Sequence, residues 1–228
     1  MKSSINFLKF YALLSTAAIV YLFYQSNQPA VQQDVLRVKG IVIEDEQGRE
    51  RILMGAPIPF AQNRVRTDTA RARDSWGFIH EDYMEFYKSY DHHTNGILIL
   101  DENGYDRLAM GDPTPDPNIG KRIGPSTGFV INDKEGFERS GYGLLTVNGI
   151  DRVNLGLDTN SGTEGLVLSV EDNGTHGLIM KGPEHTIFLG KSDSTNYFRK
   201  EQTPFSGLIM RAENGQDLEW NTKEIPQD

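Results

Sequence analysis

Four arginines fall close together in the segment from Pro57 to Trp76: Arg64, Arg66, Arg71 and Arg73, opposed only by Asp68 and Asp74. Guanidinium groups hold phosphates and carboxylates through paired N–H donors. On an acidic chain such a basic stretch is the candidate binding site, for a phosphate, a carboxylated sugar or an anionic partner. Pro57 and Pro59 open the segment, and a solvated, mobile loop is the competing expectation.

Two further groups invite a metal. His80, His92 and His93 stand near Glu81, Asp82 and Asp91. His92 and His93 are placed on a turn, no His-x-His spacing recurs, and no metal site is expected. Asp101-x-Asn103-Gly104-x-Asp106 resembles the start of a calcium loop but lacks the longer ligand series ending in Glu. Asp and Asn suit a tight turn for backbone reasons, so a turn is the first reading there. His176 and His185 are isolated. Asn173-Gly174-Thr175 matches a glycosylation sequon in a predicted turn.

No nucleophile elbow and no phosphate loop leading into a helix is found, and no catalytic residue is assigned. Carboxylate pairs such as Glu44/Asp45, Asp101/Glu102 and Glu171/Asp172 belong to turns. Linear spacing cannot set two carboxylates at the separation that glycoside hydrolysis needs. No cofactor is implied.

The elements that carry these residues are predicted to be hairpins. Gly96-Ile-Leu-Ile-Leu-Asp-Glu-Asn-Gly-Tyr-Asp-Arg-Leu-Ala-Met-Gly111 places Asn-Gly between two apolar runs, a strong short-range hairpin signal. Gly40–Gly55 aligns with it without a gap, and Gly141–Gly156 fits the same frame. Gly177–Gly190 is a shorter-turned version, and Gly207 starts a fifth. Arg51, Arg107 and Arg152 begin returning strands, from which they can reach acidic residues across the hairpin. Tyr83, Phe86, Tyr87 and Tyr90 carry helical spacing, but alignment with the other copies favours a strand there. The expected fold is all-β: hairpin or three-strand meander units, solenoid-like or sandwich, with a small propeller as the alternative, and little helix beyond the N-terminus.

The pattern Gly-Ile-x-Ile-x-Asp-x-x-Gly-x-x-Arg-x-x-x-Gly, present at Gly40–Gly55 and Gly96–Gly111, resembles repeats in uncharacterised bacterial proteins with an N-terminal membrane segment. The resemblance implies a bacterial, envelope-located protein. It brings no activity and no functional residues.

The run from Phe7 to Tyr24 is largely apolar, carries one charge, Lys9, and is about long enough to span a bilayer. Lys2 and Lys9 place the N-terminus in the cytoplasm by the positive-inside rule. Gln28 spoils a small-x-small cleavage site before Ala30, which favours an uncleaved anchor over a signal peptide. Either outcome exports the body. The chain has no Cys, which excludes disulfides and thiolate metal sites. Beyond Lys2 and Lys9 there remain 21 basic against 32 acidic residues, a net of −11. That balance argues against nucleic acid as a partner. The expected organisation is a tip and anchor at 1–25, a linker at 26–35, an exported β domain at 36–222 and a tail at 223–228. The expected function is a non-enzymatic scaffold or binding module in the cell envelope, touching an envelope protein or glycan, with self-association through edge strands as a further possibility. The alternative is an enzyme on surface polysaccharide, using carboxylates from different hairpins. The loops at 57–76 and 112–125 are the places to look for function.

Overall fold

The computed structural model describes residues 2–26, 35–90, 92–115, 124–192, 204–212 and 217–222. The tail at 223–228, most of the linker at 26–35 and of the loop at 112–125, Asp91 and the last turn with Gly215 lie outside them. Two compact units result, Met1–Val38 and Lys39–Asp228. The first holds helix α1 (Lys2–Ser26). Its stretch Ile5–Ser26 is long and apolar enough to cross a membrane, and none of it is buried.

The second unit is one open antiparallel sheet of twelve strands in chain order. These are β1 (Gly40–Glu44), β2 (Glu50–Gly55), β3 (Asn95–Leu100), β4 (Asp106–Asp112), β5 (Ser126–Asn132), β6 (Glu138–Val147), β7 (Ile150–Asp158), β8 (Glu164–Glu171), β9 (His176–Lys181), β10 (His185–Ser192), β11 (Phe205–Ala212) and β12 (Asp217–Asn221). The all-β meander matches the expectation. Its strands stay in one sheet, so neither two facing sheets nor propeller blades form.

The register shows why. One row of paired residues crosses all twelve strands: Gly40, Gly55, Gly96, Gly111, Gly128, Gly143, Asn154, Ser169, Gly177, Gly190, Gly207 and Asn221. A Cβ at Gly96 would sit 1.9 Å from the Met110 carbonyl oxygen, so no side chain fits where neighbouring backbones close in. Gly128–Gly143 is a further hairpin on this row, and Gly141–Gly156 pair across the next one, as their frame predicts. Gly141 and Gly156 lie two residues inward, paired in the row of Val130 and Val167.

The strands bend at the glycine row. Phe205 precedes the row by two residues and Phe188 on the adjoining strand lies two residues beyond it. Straight strands would hold those positions about 13 Å apart, yet the rings meet at 6.0 Å. The sheet becomes a trough. Its C-terminal end is filled by Val167, Ile179, Phe188, Phe205 and Ile209. At its N-terminal end Ile58 and Ala61, from the insertion between β2 and β3, pack on Leu53, Leu98, Leu100, Ala109 and Val130.

The hairpin turns repeat one device. Asp45 Oδ1 accepts from the amides of Gln47 and Arg49, Asp101 Oδ1 from Asn103 and Tyr105, and Asp133 Oδ1 from Glu135 and Phe137. These carboxylates close their turns, which is the backbone role expected of Asp there. The returning arginines staple neighbouring hairpins. Arg51 Nε donates to the Leu100 carbonyl at 3.0 Å, Arg107 Nε to Asn132 at 3.1 Å and Arg139 Nε to Asp158 at 3.2 Å. Arg139 is thus the third staple, while Arg152 reaches an acid on the facing strand, Glu171 at 3.3 Å. Arg51 also reaches an acid of its own hairpin, Asp45 at 3.2 Å.

Candidate functional site

The arginine-bearing insertion is folded rather than a solvated loop. Val65–Thr67 makes a turn of 3-10 helix, followed by α2 (Thr69–Trp76) and α3 (Tyr83–Lys88). Asp68 caps α2 by accepting from the amides of Ala70 and Arg71. The expected strand at Tyr83 is therefore α3. Its helical spacing prevails because this segment lies outside the sheet, and Tyr83 and Tyr87 join Trp76, Val65 and Ala72 in a core of their own. The insertion docks on hairpin turns. The Val65 amide donates to Gly104 O at 2.9 Å, and Trp76 Nε1 donates to Glu135 O at 2.9 Å.

Arg64 and Arg66 point inward and are almost fully buried. Arg64 makes a bidentate pair with Asp106, Nε to Oδ1 at 2.8 Å and Nη2 to Oδ2 at 2.7 Å, and donates from Nη1 to the His92 carbonyl at 3.0 Å. Arg66 Nε lies 3.1 Å from Asp106 Oδ2, and its guanidinium covers the Trp76 ring at 5.2 Å. Burial alone would raise the Asp106 carboxyl, but Arg64 and then Arg66 more than reverse it, and the carboxyl titrates below its ordinary range. Arg71 donates to the carbonyls of Asn63 and Asn103. Arg73 is exposed. The structure gathers Arg64 and Arg66 on one internal carboxylate and leaves Arg71 and Arg73 apart from them.

His92 is half-buried in this cluster, with Nε2 3.1 Å from the Tyr87 carbonyl. Burial, with the charge of Arg66 behind it, pushes its pKa down to about 4. The imidazole is neutral at pH 7. Among the described residues no group of three or more His, Asp or Glu is placed to hold a metal.

Sequence reasoning missed a different place. Over β6–β8 the trough stays open as a cavity of about 330 Å³. Gly141 and Gly156 occupy the floor where Val130 and Val167 stand on either side, and beyond Gly156 a Cβ would meet nothing within 4 Å. The walls are polar. Glu138, Asp158, Glu164 and Glu171 contribute carboxylates, Arg152 a guanidinium, and Thr114, Ser126, Asn154 and Ser169 hydroxyl or amide groups. Ser126 stands ahead of the glycine row and Glu138 well beyond it, so the bend brings both to one hollow. The signal was present in the sequence: two glycines interrupt the large apolar residues of a strand interior. It becomes visible only when the glycine row sets the register.

The walls are tied together. Arg152 Nε lies 3.3 Å from Glu171 Oε1, and Glu171 also accepts from Asn173 Nδ2 at 3.0 Å. Ser169 Oγ donates to Asn154 Oδ1 at 2.6 Å. Ser126 Oγ is buried with no hydrogen-bond partner among the described residues. Asp158 faces Glu164 across β7–β8, and Glu164 accepts from Lys181 Nζ at 2.5 Å. Burial first, then the Glu164 charge, raises the Asp158 carboxyl above its ordinary value. Such a hollow offers many acceptors and few cations. It suits a ligand that donates hydrogen bonds and repels one that carries negative charge. The chain matches no known family model, no curated protein and no solved structure.

Proposed function

We propose that this chain is a membrane-anchored, extracytoplasmic binding module of the bacterial envelope, and that its ligand is a small neutral or amino sugar at the end of a glycan. The cavity over Gly141 and Gly156 carries the reading. Its volume is at the lower end of the range for small-molecule sites, roughly 300–1,000 Å³, and matches a group the size of one or two sugar rings. Its carboxylates accept from hydroxyl and ammonium groups, while Arg152 and the side-chain amides and hydroxyls fix orientation. The apolar helix supports anchorage, and Lys2 and Lys9 support a cytoplasmic N-terminus with the body outside. A C-terminal reporter active only in the cytoplasm overturns that orientation.

Gly156→Leu tests the site. The leucine enters open space, so the fold is expected to melt at or above the parent temperature. Binding of neutral and amino saccharides to the full chain in nanodiscs, read by calorimetry, is expected to fall at least tenfold. Unchanged affinity removes the cavity from the binding site.

A second reading, an enzyme acting on polysaccharide, is favoured by one observation: Asp158, with its raised carboxyl, is paired across strands with Glu164. Two neighbouring carboxyls in unlike surroundings are the kind of pair glycoside hydrolysis employs. Release of reducing ends by the parent and its loss in Asp158→Asn would establish this reading. Binding without release leaves the module non-enzymatic.

A further inference from the structure

The sheet has a second face, on the side away from the trough. It is presented by the rows one and three residues beyond the glycine row, which run unbroken across β1–β12. Every residue of these two rows is apolar except Ser140. On the central strands Leu144, Val153 and Val170, just ahead of the glycine row, widen the same face. Fifteen large apolar side chains here are exposed, from Ile43 at one end to Trp220 at the other, the latter 63 % exposed. Eleven inter-strand steps make the face about 53 Å long.

Together these side chains leave on the order of 1,000 Å² of apolar surface in water, taking large side chains at typical area. The largest apolar patch of an ordinary monomer is about 300–600 Å². A stable dimer buries about 800 Å² per partner. The area therefore exceeds what one copy ordinarily leaves bare and suffices for pairing two.

We infer that the chain forms a two-fold dimer in which this face packs on the same face of a second copy. The chemistry selects that occupant. The two rows contain no charged residue, so pairing desolvates no ion, and an acidic or basic partner finds nothing to answer its charge. Two such sheets stack at about 10 Å with side chains interleaved, as in a sandwich. A two-fold operation sets the patch against itself, so complementarity needs no second surface. The trough opens on the opposite side, so the dimer leaves both cavities accessible.

The absence of cysteine allows a direct test. Leu157, on central strand β7, is 44 % exposed on this face. Asn148, exposed on the β6–β7 turn, is the control. The full chain carrying Leu157→Cys or Asn148→Cys is reconstituted in phosphatidylcholine vesicles and treated with a short bismaleimide. The expected result is a covalent species of twice 25.6 kDa for Leu157→Cys and monomer for Asn148→Cys. In a companion variant, Leu157→Glu with Leu168→Glu, light scattering in nanodiscs is expected to change from two copies to one while the melting temperature of the sheet stays within a few degrees. No cross-link at Leu157→Cys, or cross-linking at Asn148→Cys alone, overturns the inference. A parent that is monomeric with lipid retained on the apolar face does so too, and assigns the face to acyl chains.

Discussion

Two stretches of one trough, its N-terminal end and its middle, treat buried charge in opposite ways. Under the insertion, Asp106 is sealed beneath Arg64 and Arg66, and the floor is built of Leu53, Leu98 and Val130. Over β6–β8 the floor is Gly141 and Gly156, and four carboxylates face a hollow. The strand frame is the same in both. What differs is whether a side chain fills the floor and whether a loop covers it. Charge in the first region holds an insertion in place. Charge in the second lines an open hollow, paired within its walls.

The comparison breaks first at Arg64. Removing it leaves Asp106 buried with one cation fewer and strips the donor from the His92 carbonyl. Loss of one partner of a buried pair costs about 3–5 kcal/mol, so Arg64→Ala is expected to lower the melting temperature by well over ten degrees or to prevent folding. Arg64→Lys keeps the charge but not the bidentate fork, and is expected to recover only part of the loss. A melting curve for Arg64→Ala that overlays the parent would show that the insertion is held by its aromatic core alone.

Acid should separate the two regions next. Unfolded, His92 takes up a proton near pH 6.5; folded, it does so only near pH 4. Between those values the unfolded chain binds the extra proton, so stability is whole above pH 6.5 and is lost as pH falls toward 4. The full shift corresponds to about 3 kcal/mol. Asp106, with its lowered carboxyl, adds a further loss below about pH 4. Asp158 has the opposite sign. Its raised folded pKa means the folded state holds the proton more tightly, so acidification favours folding through that group. Thermal melts from pH 7.5 to 4 are expected to fall steeply for the parent and to flatten in His92→Gln. A slope unchanged in that variant would place the acid sensitivity elsewhere.

Much of the sheet is legible in the sequence. Asn-Gly turns between apolar runs and the in-frame pair Gly40–Gly55 and Gly96–Gly111 called for antiparallel hairpins, and antiparallel hairpins form. The third pair, Gly141–Gly156, also closes a hairpin but stands two residues off the glycine row, where Gly143 and Asn154 take the place. An offset of two keeps each side chain on its face, so the apolar alternation does not reveal it. Over Tyr83 to Tyr90 repeat alignment points to a strand, but the 3.6-residue stripe prevails because the segment lies in an insertion outside the sheet. The arginines were legible as a cluster but not as a buried one. Their counter-charge, Asp106, lies some forty residues away and meets them only through the insertion's return across the trough. The cavity was the least legible feature, since it is defined by two missing side chains on strands whose register had not been fixed.

The smallest effect tests whether the staples serve only the fold. Arg107 Nε donates to the Asn132 carbonyl, and Asn132 Nδ2 donates back to the Asp106 carbonyl at 2.8 Å, so the two hairpins exchange bonds beside the buried pair. The Arg107 acceptor is neutral and the side chain half-buried, which makes the bond worth about 1 kcal/mol. Arg107→Ala is therefore expected to lower the melting temperature by a few degrees, and Arg107→Lys to fall equally, because lysine has no Nε–H in that place. Arg139→Ala, which frees the carbonyl of Asp158 at the cavity wall, should cost the same in stability. The two variants part in binding. Arg107→Ala is expected to keep saccharide affinity, because its staple lies on the sealed side. Arg139→Ala is expected to weaken affinity severalfold by loosening the wall that carries the Asp158 carboxylate. Equal affinity in both would mean that the staples fasten the sheet without setting the shape of the hollow, and a selective loss in Arg107→Ala would move the binding site toward the insertion.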